Sequence, residues 1–147
     1  MKLTTTLAAL SAFILAAPLA ALAQEEPSPE AAGVTWEELA KTTTNAVGEP
    51  IAYPTGTPEI QVEIGTFEPG GQTSLHQHPV PIVVYILEGE IEVRVEGAEP
   101  YRVAAGQAIV EPQNKPMQAF NMGDAPAKLL VVALAAEGQP TAEALTE

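Results

Sequence analysis

Between residues 59 and 136, the chain is a succession of short runs of β-type residues, each ended by a turn signal. The run EIQVEIGTF (59–67) alternates apolar and polar residues with a period of two, and EIEVRVEG (90–97) does so strictly. Such alternation is typical of strands with one buried face. The run PIVVYILEG (81–89) is continuously apolar, as in a strand buried on both faces.

Three further runs complete this pattern. They are YRVAAGQAIVEP (101–112), which predicts two short strands around a glycine, MQAFNM (117–122) and AKLLVVALAA (127–136). Short strands spaced about ten residues apart, with hardly any helix, indicate an all-β sandwich or barrel. We assign this barrel to residues 48–137 and predict that residues 138–147 form a polar, frayed tail.

Residues 1–23 have the pattern of a secretory signal peptide. A positive charge at the second position precedes a mostly apolar stretch, and Ala-Leu-Ala at 21–23 matches the small-x-small pattern of a cleavage site. A membrane-spanning helix is the alternative, which a proline and several threonines in the stretch disfavour. We predict cleavage between Ala23 and Gln24, and therefore an exported protein, periplasmic or secreted, without a membrane anchor.

Residues 24–47 are predicted to be a flexible leader followed by a short helix. The first ten are rich in Pro, Glu and Ala and offer little to bury. In the following TWEELAK, Thr35 and Glu38 have the spacing of a reciprocal capping box, which predicts one or two helical turns. Trp36 or Leu39 would dock this helix on the barrel.

The charge and the residue types exclude several classes of function. Aspartate and glutamate number 19 against six lysines and arginines, which gives a net charge of −13. Nucleic acids and anionic membranes would be repelled, so neither is expected as a partner. The absence of cysteine excludes disulfides, thiolate metal ligands and a cysteine nucleophile.

His76 and His78 are the candidate site. They lie two residues apart on a predicted strand, so their side chains project from the same face and can converge on one metal ion. The alternative is a pair of polar side chains in a ligand pocket, hydrogen-bonded to a small molecule or to water.

The surrounding sequence resembles the cupin superfamily. PGGQTSLHQHPVPIVVYILEG is similar to the first cupin motif, with Gly70, five residues, the His-x-His pair and a closing glycine. GQAIVEPQNKPMQAFNMGDAPA is similar to the second motif, with Gly106, Pro112 and Asn121. The resemblance covers residues 59–136 and extends to small exported single-domain cupins. It implies a double-stranded β-helix, the cupin jelly-roll barrel, which the short N-terminal helical turn would precede.

The resemblance also implies an incomplete set of metal ligands. Metal-dependent cupins carry a glutamate four residues after the second histidine and a further histidine in the second motif. In this sequence those positions are Ile82 and Met117. Two imidazoles and the Met117 thioether suit copper, above all Cu(I), whereas Fe(II) or Mn(II) would require the missing carboxylate. Glu111 is expected at a strand end rather than at the inner position. A core role for Met117 and the absence of any metal stay open.

These features indicate an exported cupin-domain protein that binds a small molecule or a soft metal ion in the barrel interior, without turnover. The alternative is a divergent metal-dependent enzyme, dioxygenase-like or isomerase-like, which uses the His-x-His pair. A structural role is a third possibility, because the resemblance implies that such barrels form homodimers. The predicted ligand pocket consists of Ile82, Val84, Tyr85, Gln118 and Phe120.

Overall fold

The computed structural model describes residues 33–146, so the predicted signal peptide and the first part of the leader lie outside the described residues. Within this range the chain forms nine strands and no helix. The strands are β1 (Pro58–Phe67), β2 (His76–Gln77), β3 (Ile82–Glu88), β4 (Glu90–Val95), β5 (Tyr101–Ala104), β6 (Ala108–Val110), β7 (Met117–Phe120), β8 (Ala127–Ala136) and β9 (Glu143–Ala144). No segment of the described chain forms a helix long and apolar enough to cross a membrane.

The strands form two antiparallel sheets, which confirms the predicted all-β jelly-roll fold. One sheet has the order β1-β8-β3-β6, and the other has the order β5-β4-β7-β2-β9. The buried core includes Val84 and Ile86 from the first sheet and Ile91 and Val93 from the second. The runs of alternating and continuous apolar residues are therefore the inner faces of two opposed sheets.

The turn between β3 and β4 carries the chain from one sheet to the other. Gly89 alone separates these strands, and it has a φ of 77°, in the left-handed region that favours glycine. A Cβ at this position would lie 3.0 Å from the Cα of Ala127, which is closer than side chains approach backbone. The sheet switch therefore requires a glycine at this point.

Strand β1 has the predicted alternation, but its apolar row faces outward. Ile60, Val62 and Ile64 are 53–64% exposed, whereas Glu63 and Gly65 border the interior cavity described below. The outward row lies beside half-buried residues of β8, because Val62 pairs with Val132. The outer surface of this sheet is consequently apolar.

Two predictions about the ends of the described chain are wrong. Residues 34–42 form no helix, and Trp36 is 90% exposed, so it does not dock. A helix of one or two turns is marginal in water without tertiary packing. The polar tail is not frayed, because Glu143 and Ala144 form β9 and pair with β2. The domain boundaries at residues 48 and 137 stay predictions.

Candidate metal centre

A cavity of about 220 Å³ lies between the two sheets. Most of its wall is apolar and comes from strands of both sheets, including Val84 of β3, Val93 of β4 and Leu129 of β8. The polar side chains at its surface are those of Glu63, Thr73, His76, His78 and Glu111. The cavity is small beside ligand pockets of about 300–1,000 Å³, so it suits a compact molecule.

The two histidines meet through their Nε2 atoms, which are 3.1 Å apart. The rings are nearly perpendicular, with an interplanar angle of 83°. Nδ1 of His76 lies 2.8 Å from the carbonyl oxygen of Ser74, and Nδ1 of His78 lies 2.6 Å from that of Thr141. Because a carbonyl oxygen only accepts, both Nδ1 atoms carry the proton and donate. In the neutral rings, each Nε2 is then left with a lone pair.

Backbone pairing fixes the position of this histidine pair. His76 pairs with Met117 of β7 on one side and with Ala144 of β9 on the other. His78 forms a bridge with Gln113, and its carbonyl oxygen accepts a hydrogen bond from the backbone N–H of Asn114. The short strand β2 thus presents both rings to the cavity from a position between two neighbouring strands.

Glu111 is a third member of the site, and the sequence analysis did not identify it. Its Oε2 lies 3.1 Å from Nε2 of His78, and the residue is 9% exposed. Val83 pairs with Val110, so antiparallel register puts Glu111 opposite Ile82, and its backbone N–H donates to the Ile82 carbonyl oxygen. A carboxylate from the neighbouring strand thus lies beside the position that the cupin resemblance assigns to glutamate.

Contacts at the site run from His76 to His78 and from His78 to Glu111. Within residues 33–146, no three His, Cys, Asp or Glu side chains are grouped tightly enough to hold a metal ion as they stand. His78 is the centre of the arrangement, because its Nε2 lies 3.1 Å from both neighbours. A closed three-ligand cluster would require the Glu111 carboxylate to rotate toward His76.

The charge state of His78 depends on Glu111. Burial disfavours the imidazolium, but the hydrogen bond and the charge of Glu111, helped by the Thr141 carbonyl, outweigh burial and raise the pKa of His78 above 6.5. A protonated His78 donates from both nitrogens, to Thr141 through Nδ1 and to Glu111 through Nε2. When His78 is protonated, this proton lies between its Nε2 and the Glu111 carboxylate.

This raised pKa predicts a pH dependence of stability. A histidine with a folded-state pKa above its unfolded value adds stability below about pH 6.5, and that stability is lost as the pH rises through the folded-state pKa. We therefore expect metal-free protein to have a smaller free energy of unfolding at about pH 8.5 than at about pH 6. Urea unfolding in the presence of a chelator measures this difference. The same measurement on His78→Gln should show a smaller difference, and an unchanged one would contradict the assignment.

Tyr101 is a further polar group near the core. Its hydroxyl is buried and has no hydrogen-bond partner among the described residues. Burial and the nearby charge of Glu111 raise the pKa of this phenol well above its usual value. Tyr101 therefore keeps its proton at neutral pH.

Of the predicted pocket residues and the predicted metal ligand Met117, some line the cavity and others lie in the core or elsewhere. Val84 lines the cavity, whereas Ile82 and Met117 are buried in the core and lie outside the cavity lining. Tyr85, between two inward residues of β3, is half-buried and also outside the lining.

Gln118 and Phe120 also lie outside the cavity lining. The side-chain amide of Gln118 donates to the carbonyl oxygen of Thr73. The Phe120 ring lies under the Arg94 guanidinium at 4.2 Å. Ligation of a metal by Met117 stays a prediction.

The family model of the cupin domain matches residues 63–133, a range that includes both sequence motifs and the histidine pair. Residues 63–133 of this chain are a cupin domain. The structure of TT1209 from Thermus thermophilus is 35% identical to this cupin, with 52% of this chain and 73% of that chain covered and a TM-score of 0.48. A search of curated proteins found no match.

Two enzymes of known structure are also similar to this cupin. The DMSP lyase DddQ from Ruegeria pomeroyi DSS-3 is 25% identical, with 66% of this chain and 46% of that chain covered and a TM-score of 0.50. Oxalate decarboxylase from Lactobacillus farciminis is 27% identical, with 58% of this chain and 26% of that chain covered and a TM-score of 0.52. This cupin therefore spans less than half the length of either enzyme.

Proposed function

We propose that this cupin binds a divalent first-row transition-metal ion through His76, His78 and Glu111, with a small organic molecule in the adjoining cavity. One observation carries the proposal: two Nε2 atoms lie 3.1 Å apart, and a buried carboxylate lies 3.1 Å from one of them. Because both Nδ1 atoms donate to carbonyl oxygens, the inward atoms of all three side chains are acceptors in the neutral pair. Buried acceptors facing one another require a cation or a proton between them.

The spacing of these atoms is compatible with a shared cation. The distances from Nε2 of His78 to Nε2 of His76 and to Oε2 of Glu111 are both 3.1 Å, which is also the length of a hydrogen bond. Among the described residues the three side chains do not enclose an ion as they stand, so metal binding would require Glu111 to approach His76 as well.

The donor set favours a divalent ion over Cu(I). A soft Cu(I) ion is expected where all ligands are neutral, and the Glu111 carboxylate beside His78 is not neutral when ionised. Two histidines and one carboxylate are the ligands of non-haem Fe(II) sites, and carboxylates also suit Mn(II). Met117 lies outside the cavity lining, which gives a thioether-bound copper ion less support.

A bound ion would act as a Lewis acid on an oxygen atom of a molecule in the cavity. The chain's own contribution is the apolar wall, which excludes water, and the carbonyl contacts that orient the imidazoles. Both enzymes described above are catalysts by name, and this supports turnover as the second candidate, whereas a dioxygenase-like or isomerase-like reaction stays a prediction. Export to the periplasm or beyond is part of the proposal and depends on the signal sequence alone.

Metal uptake by purified protein tests the proposal. Metal-free protein, titrated separately with Fe(II), Mn(II), Zn(II) and Cu(I) without oxygen, should bind one divalent ion per chain. Glu111→Gln should weaken that binding about a hundredfold, which is ~2.7 kcal/mol, because the amide has no charge. Glu96→Gln, at an exposed position, is the matched control and should have no effect.

The other outcomes identify the alternatives. Preference for Cu(I), together with loss of affinity in Met117→Leu and none in Glu111→Gln, would replace the divalent site with the copper site. No uptake of any metal would leave an organic ligand and a shared proton as the occupants of the cavity.

A further inference from the structure

The C-terminal segment beyond β8 returns to the histidine pair. It turns at Gly138, which has a φ of 76°, and then runs beside β2. Gln77 pairs with Glu143 in the backbone, and the Gln77 side-chain amide donates to the Glu143 carboxylate at 2.8 Å. The backbone N–H of Leu145 donates to the Leu75 carbonyl oxygen at 2.9 Å. The segment is therefore docked by both backbone and side-chain bonds.

Strand β2 has little other support on this side. It has two residues, and it pairs with β7 only at His76 opposite Met117. Its other edge is covered by β9, at His76 and Gln77. Without β9, the histidine pair would lie at a sheet edge, held by the pairing of His76 with Met117 and by the bridge of His78 with Gln113.

The two histidines differ in what holds their rings. His76 donates to the carbonyl of Ser74, which belongs to the same stretch of chain. His78 donates to the carbonyl of Thr141, which is 63 residues away and belongs to the C-terminal segment. A carbonyl bonded to Nδ1 fixes the tautomer and the orientation of a metal-binding imidazole. Only the ring of His78, of these two, is oriented by the C-terminal segment.

We propose that residues 141–145 are a positioning segment of the metal centre, which presents Nε2 of His78 to the ion through the Thr141 carbonyl. The inference rests on the proposed metal site. Most of the segment is exposed, so it can detach without the loss of buried core. Docked and detached forms of the segment would then have high and low metal affinity in a barrel that stays folded.

Truncation tests the proposal directly. A chain that ends after Pro140 lacks the whole segment, and a chain that ends after Leu145 is the matched control. The first should bind the divalent ion about ten- to hundredfold more weakly, the usual effect of losing a partner of a ligating histidine. The control should bind as the full chain does. Circular dichroism and urea unfolding report whether each barrel is folded.

The tautomer of His78 gives a readout that a loss of overall stability would not move. Nitrogen-15 spectra of metal-free protein, recorded at a pH high enough for His78 to be neutral, show which ring nitrogen carries the proton. In the full chain the His78 proton should be on Nδ1, and in the chain ending after Pro140 it should redistribute to Nε2. The tautomer of His76, held by Ser74, should stay the same in both chains.

A milder variant covers failure of the truncated chain to fold. Leu145→Pro removes the N–H that donates to Leu75 and should loosen the segment. The loss of metal affinity and the shift of the His78 proton to Nε2 should both occur, but to a smaller extent than in the truncated chain. The proposal is overturned if the truncated chain keeps both the metal affinity and the His78 tautomer of the full chain. If the truncated chain is unfolded, the same result in Leu145→Pro overturns it. If the full chain binds no metal, the metal proposal fails, and the tautomer still shows whether the segment orients His78.

Discussion

Replacement of His76 by alanine is expected to weaken metal binding about a hundredfold to a thousandfold. Zinc sites with four ligands are worth about 10–16 kcal/mol, so a single ligand contributes roughly 2.5–4 kcal/mol. His76 supplies one of two imidazole nitrogens, and its Nε2 has no neighbour that could take its place as a neutral donor. Calorimetric titration of metal-free protein with the divalent ion measures the loss.

Gln72 provides the control for this variant. It is exposed, lies four residues before His76, and its side chain is outside the cavity lining. Gln72→Ala should therefore keep affinity within a few-fold of the original chain, while His76→Ala loses it. The free energy of unfolding of metal-free His76→Ala should lie within about 1 kcal/mol of that of the original chain, since the ring is only half-buried. Retained affinity in His76→Ala would exclude this residue as a ligand.

Asn121→Ala is expected to lower the free energy of unfolding by about 3–5 kcal/mol. Asn121 is 2% exposed, and its amide nitrogen donates to the carbonyl oxygens of Phe67, Glu68 and Ala125 at 2.8–3.2 Å. Its side-chain oxygen accepts from the backbone N–H of Gly123. Alanine removes these four bonds, each worth about 0.5–1.5 kcal/mol, and leaves a space at a buried position.

Urea unfolding of metal-free protein measures this effect, and Gln118→Ala is the comparison. The Gln118 side chain donates one hydrogen bond, to the carbonyl oxygen of Thr73. Gln118→Ala should therefore lower the free energy of unfolding by only about 1 kcal/mol. Asn121→Asp should destabilise at least as much as Asn121→Ala, because a carboxylate cannot donate to three carbonyls. A loss below about 1 kcal/mol in Asn121→Ala would mean that water replaces the amide.

The elements that were predicted well are those with a strong local pattern. Strand β8 has the predicted bounds, 127–136, because a long apolar run between turn residues can hardly form anything else in this setting. Asn114, in the second motif, has a φ of 54°. Asparagine tolerates this left-handed conformation better than most residues, so the turn forms here without a glycine.

The errors all concern interactions between distant parts of the chain. Glu111 was placed at a strand end, which is correct along the chain, but its contact with His78 depends on the register between β3 and β6. β9 is polar and two residues long, and backbone pairing with β2 alone defines it. The capping box of Thr35 was present without the tertiary contact that a short helix requires. Sequence patterns report local preference and burial, and register between strands is specified by neither.

The choice of metal depends on the same missed contact. With His76, His78 and Met117 alone, a soft ion follows from the neutral donors. Once Glu111 is beside His78, a negative charge is available and harder ions become suitable. One strand register therefore changes the chemical class of the expected cofactor.

The contact between Thr141 and His78 has a practical consequence for protein production. β9 ends at Ala144, so a purification tag appended shortly after it would start close to the candidate centre. Six histidines span up to about 20 Å when extended, enough to offer competing imidazoles to the same ion. Such a tag would inflate the measured stoichiometry and could pull the C-terminal segment away from β2. Material with an untouched C-terminus is the sound starting point for metal analysis.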